Sequence, residues 1–391
     1  MKIAQIIPFF APAWGFGGPV RVCFDISQEF VKKGHAVTVL TTDAYDHLKR
    51  INQVCEEIDG IKVIRFRNLS NRLAKGYNLF MPKEFKKYFK EHVKDYDIVH
   101  LHAFFTILNA VAAPICLKNK VPYVLHLHES PIPQKILGKV FLKKIFNALI
   151  GKKILFGASK ILVPTSSEKK TIVDKFPILE SKIEIIPNSI KATRVVEPDK
   201  AKLRKKYGFE NEDKIILSLS RLSRIKRIDR ALKNFSKIKD PDFKLLIVGP
   251  DEGGNQKKLE RLCNDLKLQK KVIFWGAVEG KEKDDLYFLS DLYLLLSEYE
   301  SFSMTCLEAL QHGLPLCLSK EVGVASDLFR FECGIYITNP DDSSKSAFQL
   351  EEAYNNKAIL AKNCSMALSQ FDIEKILSKI FKIYRQVAKT R

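Results

Sequence analysis

Paired cysteines are missing from this sequence. The eight that it has (Cys23, Cys55, Cys116, Cys263, Cys306, Cys317, Cys333 and Cys364) are scattered, with no Cys-x-x-Cys spacing. Most stand among apolar residues, so we expect reduced core cysteines in a reducing cytosol, not a disulfide framework. A leader pattern is also missing: Pro8 and Pro12 interrupt any apolar run near the start, and the strand-like Lys2-Ile3-Ala4-Gln5-Ile6-Ile7 comes first. The one stretch without formal charge that approaches spanning length, Ile98 to Leu117, contains His100, His102, Asn109 and Pro114. It reads better as strand, loop and helix of an α/β unit, and no transmembrane segment is expected. Acid is short as well. Against 65 Lys and Arg stand 45 Asp and Glu, a formal net charge of +20, which calls for an anionic partner: nucleic acid, anionic lipid or a phosphorylated small molecule. The usual nucleic-acid signatures do not accompany it, since there is no finger spacing, no RNP-like stretch and no basic helix of helix-turn-helix type. Much of the lysine lies on helices with an apolar opposite face, the pattern of a solvated surface.

A soluble globular protein is what remains: 391 residues, 46% apolar and 28% charged, enough for two cores. Short β-branched runs alternate with helical patterns. Strands are expected at 2–7, 36–40, 62–66, 98–101, 123–127, 160–164 and 183–186, then near 215–219, 243–248, 272–275, 292–296, 316–318 and 334–337. That alternation predicts an α/β protein with two Rossmann-like, doubly wound, mainly parallel sheets. The first helix, from Pro19 to Lys33, puts Val20, Cys23, Phe24, Ser27, Phe30 and Val31 on one face. The last, capped by Asp372, carries Ile373, Ile376, Leu377, Ile380, Tyr384 and Val387.

The most informative stretch follows the apolar run Leu292 to Leu296, a strand buried on both faces. Ser303 is placed to cap a helix from about Met304 to His312, which Gly313 and Pro315 stop. Glu300 falls in the loop and Glu308 about one turn into the helix. Two carboxylates near the C-terminal end of a parallel strand face the crevice where open α/β sheets bind ligands.

Glu300 and Glu308, with Glu308-Ala309-Leu310-Gln311-His312-Gly313-Leu314-Pro315, resemble the Glu-x7-Glu motif and its Glu-Ala-x-x-x-Gly-x-Pro tail in the retaining GT-B glycosyltransferases of family four. The family's Gly-Phe-Gly after the first glutamate is here Ser301-Phe302-Ser303, so glycine backbone geometry is not assured. Other motifs follow the family's order. Trp14-Gly15-Phe16-Gly17-Gly18-Pro19, after the first strand, is similar to its glycine loop, where Gly17 and Gly18 would let amides approach a phosphate. Arg221 and Lys226 match its Arg-x4-Lys, with Ser220 and Arg227 where glycines are common. Gly249 lies in a loop similar to the one near the nucleotide, and Ser319 to Asp327 resembles the loop after the motif, with only Gly323 in it. Ile185-Ile186-Pro187-Asn188 looks like the strand into the hinge, with a polar linker to about Lys200.

The resemblance implies an enzyme of two domains. Residues 1–190 would bind the acceptor, with a terminal helix 372–391 packing back on them, and 191–371 would bind the nucleotide sugar, donor and acceptor meeting in the cleft. Arg221 and Lys226 would neutralise the departing nucleoside diphosphate. Ser301, Phe302, Ser303 and Met304 would complete the donor contacts, Glu308 would hold the ribose and Glu300 the transferred sugar. No metal or other cofactor is expected, the acceptor proton passing to a donor phosphate oxygen.

Two echoes, His100-Leu101-His102 and His126-Leu127-His128, end neighbouring strands. Only Glu129 stands nearby to complete a metal set. By resemblance His128 lies beside the reaction centre; His102 is left open as an acceptor-side residue, and His100 and His126 read as structural. Residues 83–94, with Phe85, Tyr88, Phe89 and Val93 on one face, and 139–153, with five lysines and no acid, could lie on an anionic membrane or pack into their own domain. Many family members extend lipid-linked sugars, which implies a place in cell-surface polysaccharide or glycolipid synthesis, cytoplasmic or peripheral on the inner face of the membrane. Two alternatives stay open: a GT-B sugar-nucleotide epimerase, and a basic nucleic-acid-binding protein.

Overall fold

The computed structural model describes the chain apart from residues 47–48, 72–73, 75–79, 133–139, 191–197 and 390–391. The chain divides into two compact units: Met1–Ser189 with Glu374–Arg391, and Ile190–Ile373. Most of the expected linker, 191–197, falls outside the described residues.

The first unit is built on an eight-stranded sheet: β1 (Lys2–Ile6), β2 (Ala36–Thr42), β3 (Cys55–Ile58), β4 (Ile61–Phe66), β5 (Ile98–His102), β6 (Tyr123–His126), β7 (Lys160–Val163) and β8 (Ile183–Ile185), in the order β3-β4-β2-β1-β5-β6-β7-β8. All neighbours run parallel except β3 with β4. The expected strands form within two residues of their expected bounds; β3 was not expected. Its Cys-Glu-Glu-Ile sequence has no apolar run to announce it. Its signal is instead the turn: Asp59 and Gly60 both take positive φ (51° and 78°), the geometry of a two-residue hairpin. The parallel strands are apolar on both faces because helices cover both sides. The helix Gly18–Lys32 accordingly buries more than one stripe, adding Val22 and Ile26 to the expected face. The helix Ile373–Lys389 buries Ile376, Leu377, Ile380, Tyr384 and Val387, and Tyr384 stacks on Phe30 with ring centroids 5.3 Å apart.

The second unit carries six parallel strands: β9 (Lys214–Leu219), β10 (Phe243–Val248), β11 (Val272–Gly276), β12 (Leu292–Leu295), β13 (Leu316–Leu318) and β14 (Gly334–Tyr336), in the order β11-β10-β9-β12-β13-β14. Two apolar clusters sandwich this sheet, one containing Leu217, Tyr293, Leu307 and Leu310, the other Ile216, Leu232, Phe235 and Leu294.

In each sheet the order reverses once around the first strand. β1 is flanked by β2 and β5, and β9 by β10 and β12. At such a switch point the connections leave to opposite faces and open a crevice beyond the strand ends.

Candidate active site

In the second unit the chain leaving β9 runs through Arg221 and Lys226, and the chain leaving β12 runs through Glu300. Because β9 and β12 are neighbours, residues far apart in sequence arrive at one place. The Glu298 amide donates to the Ile225 carbonyl (2.9 Å), holding the two loops together. Lys226 Nζ donates to Glu300 Oε2 in a direct ion pair, the lysine side chain only 14% exposed. Burial, with the Arg221 charge nearby, draws the Lys226 ammonium down to about 8. Arg221 is exposed and reaches Glu252 in the loop after β10 (Nη1 to Oε1, 2.6 Å). In that loop Gly249 has φ +139°, and a Cβ there would stand 1.9 Å from the Ser220 carbonyl oxygen, so only glycine lets the loops after β9 and β10 pass this closely. Gly323 does the same on the other side, a Cβ there meeting the Ser301 carbonyl oxygen at 2.4 Å. Its amide donates to the Glu300 carbonyl (2.8 Å).

The helix after Glu300 spans Met304–Gln311. Ser303 stands at its N-cap, but the expected capping bond is not made. Its backbone is at φ 87°, ψ 96°, a glycine-like conformation that carries the hydroxyl to Thr305 Oγ1 (3.0 Å) and Cys306 Sγ (3.3 Å) instead. The same holds at Arg227, φ 50°, where a glycine was the expected residue; Asp229 binds its guanidinium twice, at 2.9 and 3.0 Å. Serine and arginine thus adopt the backbone the glycines would have given. Phe302 is buried against Phe371, while Ser301 and Met304 are half-buried. Glu308 is fixed through both oxygens, Oε1 by Lys283 Nζ (2.7 Å) and Oε2 by the Tyr287 hydroxyl (2.9 Å).

In the first unit, Gly17 takes φ +87° and caps the helix Gly18–Lys32, with Pro19 in its first turn. The four strand-end histidines share one sheet face and form a ladder of rings, His102 and His128 stacked with centroids 5.3 Å apart. His102 Nδ1 meets His128 Nε2 at 3.0 Å, and His102 Nε2 meets Gln5 Oε1 at 2.7 Å. His100 Nδ1 is bonded to the Tyr384 hydroxyl. Burial keeps all four imidazoles neutral, His128 being drawn down to about 4.

Residues 16–194 match the Glycosyltransferase Family 4 pattern and residues 199–368 that of Glycosyl transferases group 1. The chain belongs to the group 1 glycosyltransferases. An uncharacterised glycosyltransferase of Methanocaldococcus jannaschii is 29% identical over 353 residues, 87% of this chain and 86% of its own. N-acetyl-alpha-D-glucosaminyl L-malate synthase of Bacillus anthracis is 26% identical over 383 residues, covering 95% and 94%. Among solved structures, Anabaena HepE in complex with UDP aligns with a TM-score of 0.79 at 20% identity, over 99% of this chain and 100% of that one. The fold is GT-B, as expected.

Three side chains that hold the candidate site residues in place were not anticipated. Tyr293 reaches from β12 to the Leu219 carbonyl (3.0 Å) and Thr305 Oγ1 (2.6 Å), tying the end of β9 to the helix start. Tyr287 and Lys283 orient Glu308. For the two tyrosines the signal was a polar atom at the end of an otherwise apolar side chain in a buried run; Lys283, in a charged stretch, gave none. Among the described residues, the one grouping with donor atoms close enough to suggest a metal is His100, His102 and His126, within 4.8 Å of one another. No carboxylate or thiolate joins it, and both nitrogens of His102 are already engaged.

The two basic stretches separate. Phe85, Phe89 and Val93 are buried in the first unit's core, so the apolar face of 83–94 is not a membrane face: packing into its own unit is what this helix does. In the second stretch Lys139 lies outside the described residues. From Val140 the chain forms helix to Phe146, one wide turn over Asn147–Gly151, and helix again over Lys152–Gly157. No residue of Val140–Phe146 is buried, and Phe141 and Leu149 are 74% and 72% exposed. Among the described residues no helix is long and apolar enough to cross a membrane.

Proposed function

We propose that the protein is a retaining, metal-independent transferase that moves a sugar from a nucleotide-sugar donor to an acceptor hydroxyl. The second unit takes the donor and the first the acceptor. The observation that carries the reading is Lys226 set against Glu300 at the β9/β12 switch point, with Arg221 beside them. A departing nucleoside diphosphate gains negative charge as the glycosidic bond breaks. A buried ammonium, a guanidinium and the uncapped first-turn amides of Met304–Gln311 offer it compensation without an ion. Glu300, already paired with that ammonium, faces the sugar side of the same bond, and Glu308 is oriented for the ribose. The acceptor hydroxyl loses its proton to the leaving phosphate oxygen as its own oxygen bonds to the anomeric carbon. Atoms and charge then balance with no side chain as base. HepE's complex with UDP supports the donor class.

The exposed Phe141, Leu142, Ile145 and Leu149, flanked by Lys144, Lys152 and Lys153, favour a lipid-linked acceptor reached from an anionic membrane surface, in cell-surface polysaccharide or glycolipid synthesis. The test is incubation of the purified chain with a panel of nucleotide sugars, with and without lipid-linked or soluble hydroxyl acceptors, after exhaustive chelation. Nucleoside diphosphate released only with acceptor, and a product with the donor's anomeric configuration by NMR, is the expected result. An epimerised donor in the absence of acceptor overturns the reading, and dependence on added metal overturns its metal-independent part.

A further inference from the structure

Gln5 is a polar residue in the middle of a doubly buried strand. It is fully buried, and its neighbours Ala4 and Ile6 are too. Such an amide is costly unless it is hydrogen-bonded for a purpose. Its partner is His102, and the partner of His102 is His128. The chain has a direction. Gln5 Oε1 can only accept, so His102 Nε2 carries the proton. A neutral imidazole has one N–H, so His102 Nδ1 is then a lone pair. Whatever meets it must donate, which places the His128 proton on Nε2. His128 Nδ1 is left as a lone pair, with no hydrogen-bond partner among the described residues.

We propose that Gln5 and His102 are positioning residues that lock His128 in its Nε2–H form, presenting Nδ1 as an acceptor for a ligand hydroxyl. The ligand group recognised at His128 is therefore an O–H or N–H donor, not a phosphate or carboxylate oxygen, which a lone pair would repel. That is the chemistry of a sugar or polyol hydroxyl. The orientation of the Gln5 amide is the hinge of this assignment: reversed, it would propagate the opposite polarity and leave an N–H on His128. Gln5 Nε2 is buried without a hydrogen-bond partner among the described residues, so the Oε1 contact to His102 is the one polar contact that orients this amide. The inference rests on the reading of His128 as a substrate contact, but its first test does not.

Long-range nitrogen-proton NMR of the full chain with labelled histidine reads the tautomers directly, His128 being assigned by comparison with His128→Gln. The expected spectrum at neutral pH has a pyrrole-type Nε2 and a pyridine-type Nδ1 for both His102 and His128. In Gln5→Met, which keeps the size and removes the acceptor, both His128 nitrogens move toward the average of the two tautomers. Nδ1–H on His128 in the wild type overturns the proposal even if the variant fails to fold; so does a folded Gln5→Met with unchanged shifts. Kinetics then test the underlying reading separately. Gln5→Met lowers kcat about tenfold, the scale of one net hydrogen bond, and a ligand hydroxyl replaced by fluorine or methoxy loses discrimination against that variant. Full activity in His128→Ala, with the expected tautomer in the wild type, would remove the substrate contact and leave the relay.

Discussion

Lys226 and Glu300 are in direct ion-pair contact although 74 residues of chain separate them. Parallel β9 and β12 bring their loops together, and the ammonium so held is largely shielded from water. A charge compensated by one carboxylate in the resting protein is positioned to be shared with a phosphate. Lys226→Ala should therefore lower kcat by two or more orders of magnitude, on the order of 3 kcal/mol of transition-state stabilisation. Steady-state release of nucleoside diphosphate measures it; a fully active variant would end the leaving-group assignment.

Burial also predicts a pH dependence. With the Lys226 ammonium drawn down to about 8, it is charged below that pH and neutral above it. Donor affinity should be full near pH 7 and fall as pH rises through 8 and above. In Lys226→Arg the guanidinium stays charged throughout, so titration calorimetry across this range should show a flat profile for the variant and a sloping one for the wild type. Two parallel slopes would assign the titration to another group.

The two glutamates should separate kinetically. Glu308 is held by Lys283 and Tyr287 and, on the proposed reading, contacts the ribose before and during reaction alike. Glu300 adjoins the bond that changes. Uniform binding affects KM, whereas contacts that strengthen in the transition state affect kcat. Glu308→Gln should chiefly raise the donor KM and Glu300→Gln chiefly lower kcat, measured with varied donor at saturating acceptor. Wild-type kinetics in both folded variants would reduce the motif to coincidence.

Backbone geometry gives a test on stability. Ser303 sits at φ 87°, where an L-residue is strained by roughly 1 kcal/mol. Ser303→Gly relieves that strain, and the added freedom of the unfolded glycine and the lost hydroxyl contacts offset part of it. Thermal denaturation should find the variant within about 1 kcal/mol of wild type. Gly249→Ala, by contrast, drives a Cβ to 1.9 Å from the Ser220 carbonyl oxygen and should cost about 2 kcal/mol or more. Equal melting temperatures for Gly249→Ala and wild type would contradict the close passage of the two loops.

Period and punctuation made most of the fold legible. Runs such as Leu292 to Leu296, too short for a buried helix and bounded by loop residues, read as doubly buried strands, and their alternation with amphipathic helices points to two wound sheets. Glu300 was legible as a candidate because it stands just beyond such a run, near the strand end where a wound sheet binds ligands; Glu308 stands a turn into the next helix, and Arg221 and Lys226 were legible through their resemblance to the family's Arg-x4-Lys. What the sequence could not show was pairing across distance: which cation meets Glu300, that Tyr287 and Lys283 hold Glu308, or that Gln5 supports His102. Those contacts depend on strand order, and strand order is a tertiary property. The conformation of Ser303 was hidden for a different reason. Propensity disfavours serine at positive φ, and here the packing of the surrounding loops outweighs propensity. β3 was hidden by its glutamates, an edge strand needing no apolar face.

The last prediction concerns the surface around Phe141. Residues 83–94 and 140–157 look alike in sequence, lysines opposite aromatic and aliphatic side chains; the first packs its apolar face into its own unit, whereas the second buries Ile154 and Leu155 there and leaves the face around Phe141 and Leu149 uncovered. Phe141 and Leu149 remain 74% and 72% exposed, and an anionic bilayer would cover them while Lys144, Lys152 and Lys153 meet its headgroups. Lys143 is not part of that charge, because it pairs with Glu129 (2.8 Å) and sits over the Phe105 ring. Vesicles containing anionic lipid should co-sediment with the protein at low salt and release it as salt rises. Fully burying a Phe or Leu side chain contributes about 1.5–3 kcal/mol, so Phe141→Ser with Leu149→Ser should weaken binding at least tenfold. Lys144→Glu with Lys152→Glu should weaken it at low salt, where about 1 kcal/mol per lysine is at stake, and less at high salt. Both pairs of positions are exposed, so circular dichroism and soluble-acceptor turnover should match wild type. If the wild type ignores anionic vesicles at low salt, the exposed apolar face serves another partner and the lipid-linked acceptor loses its main support.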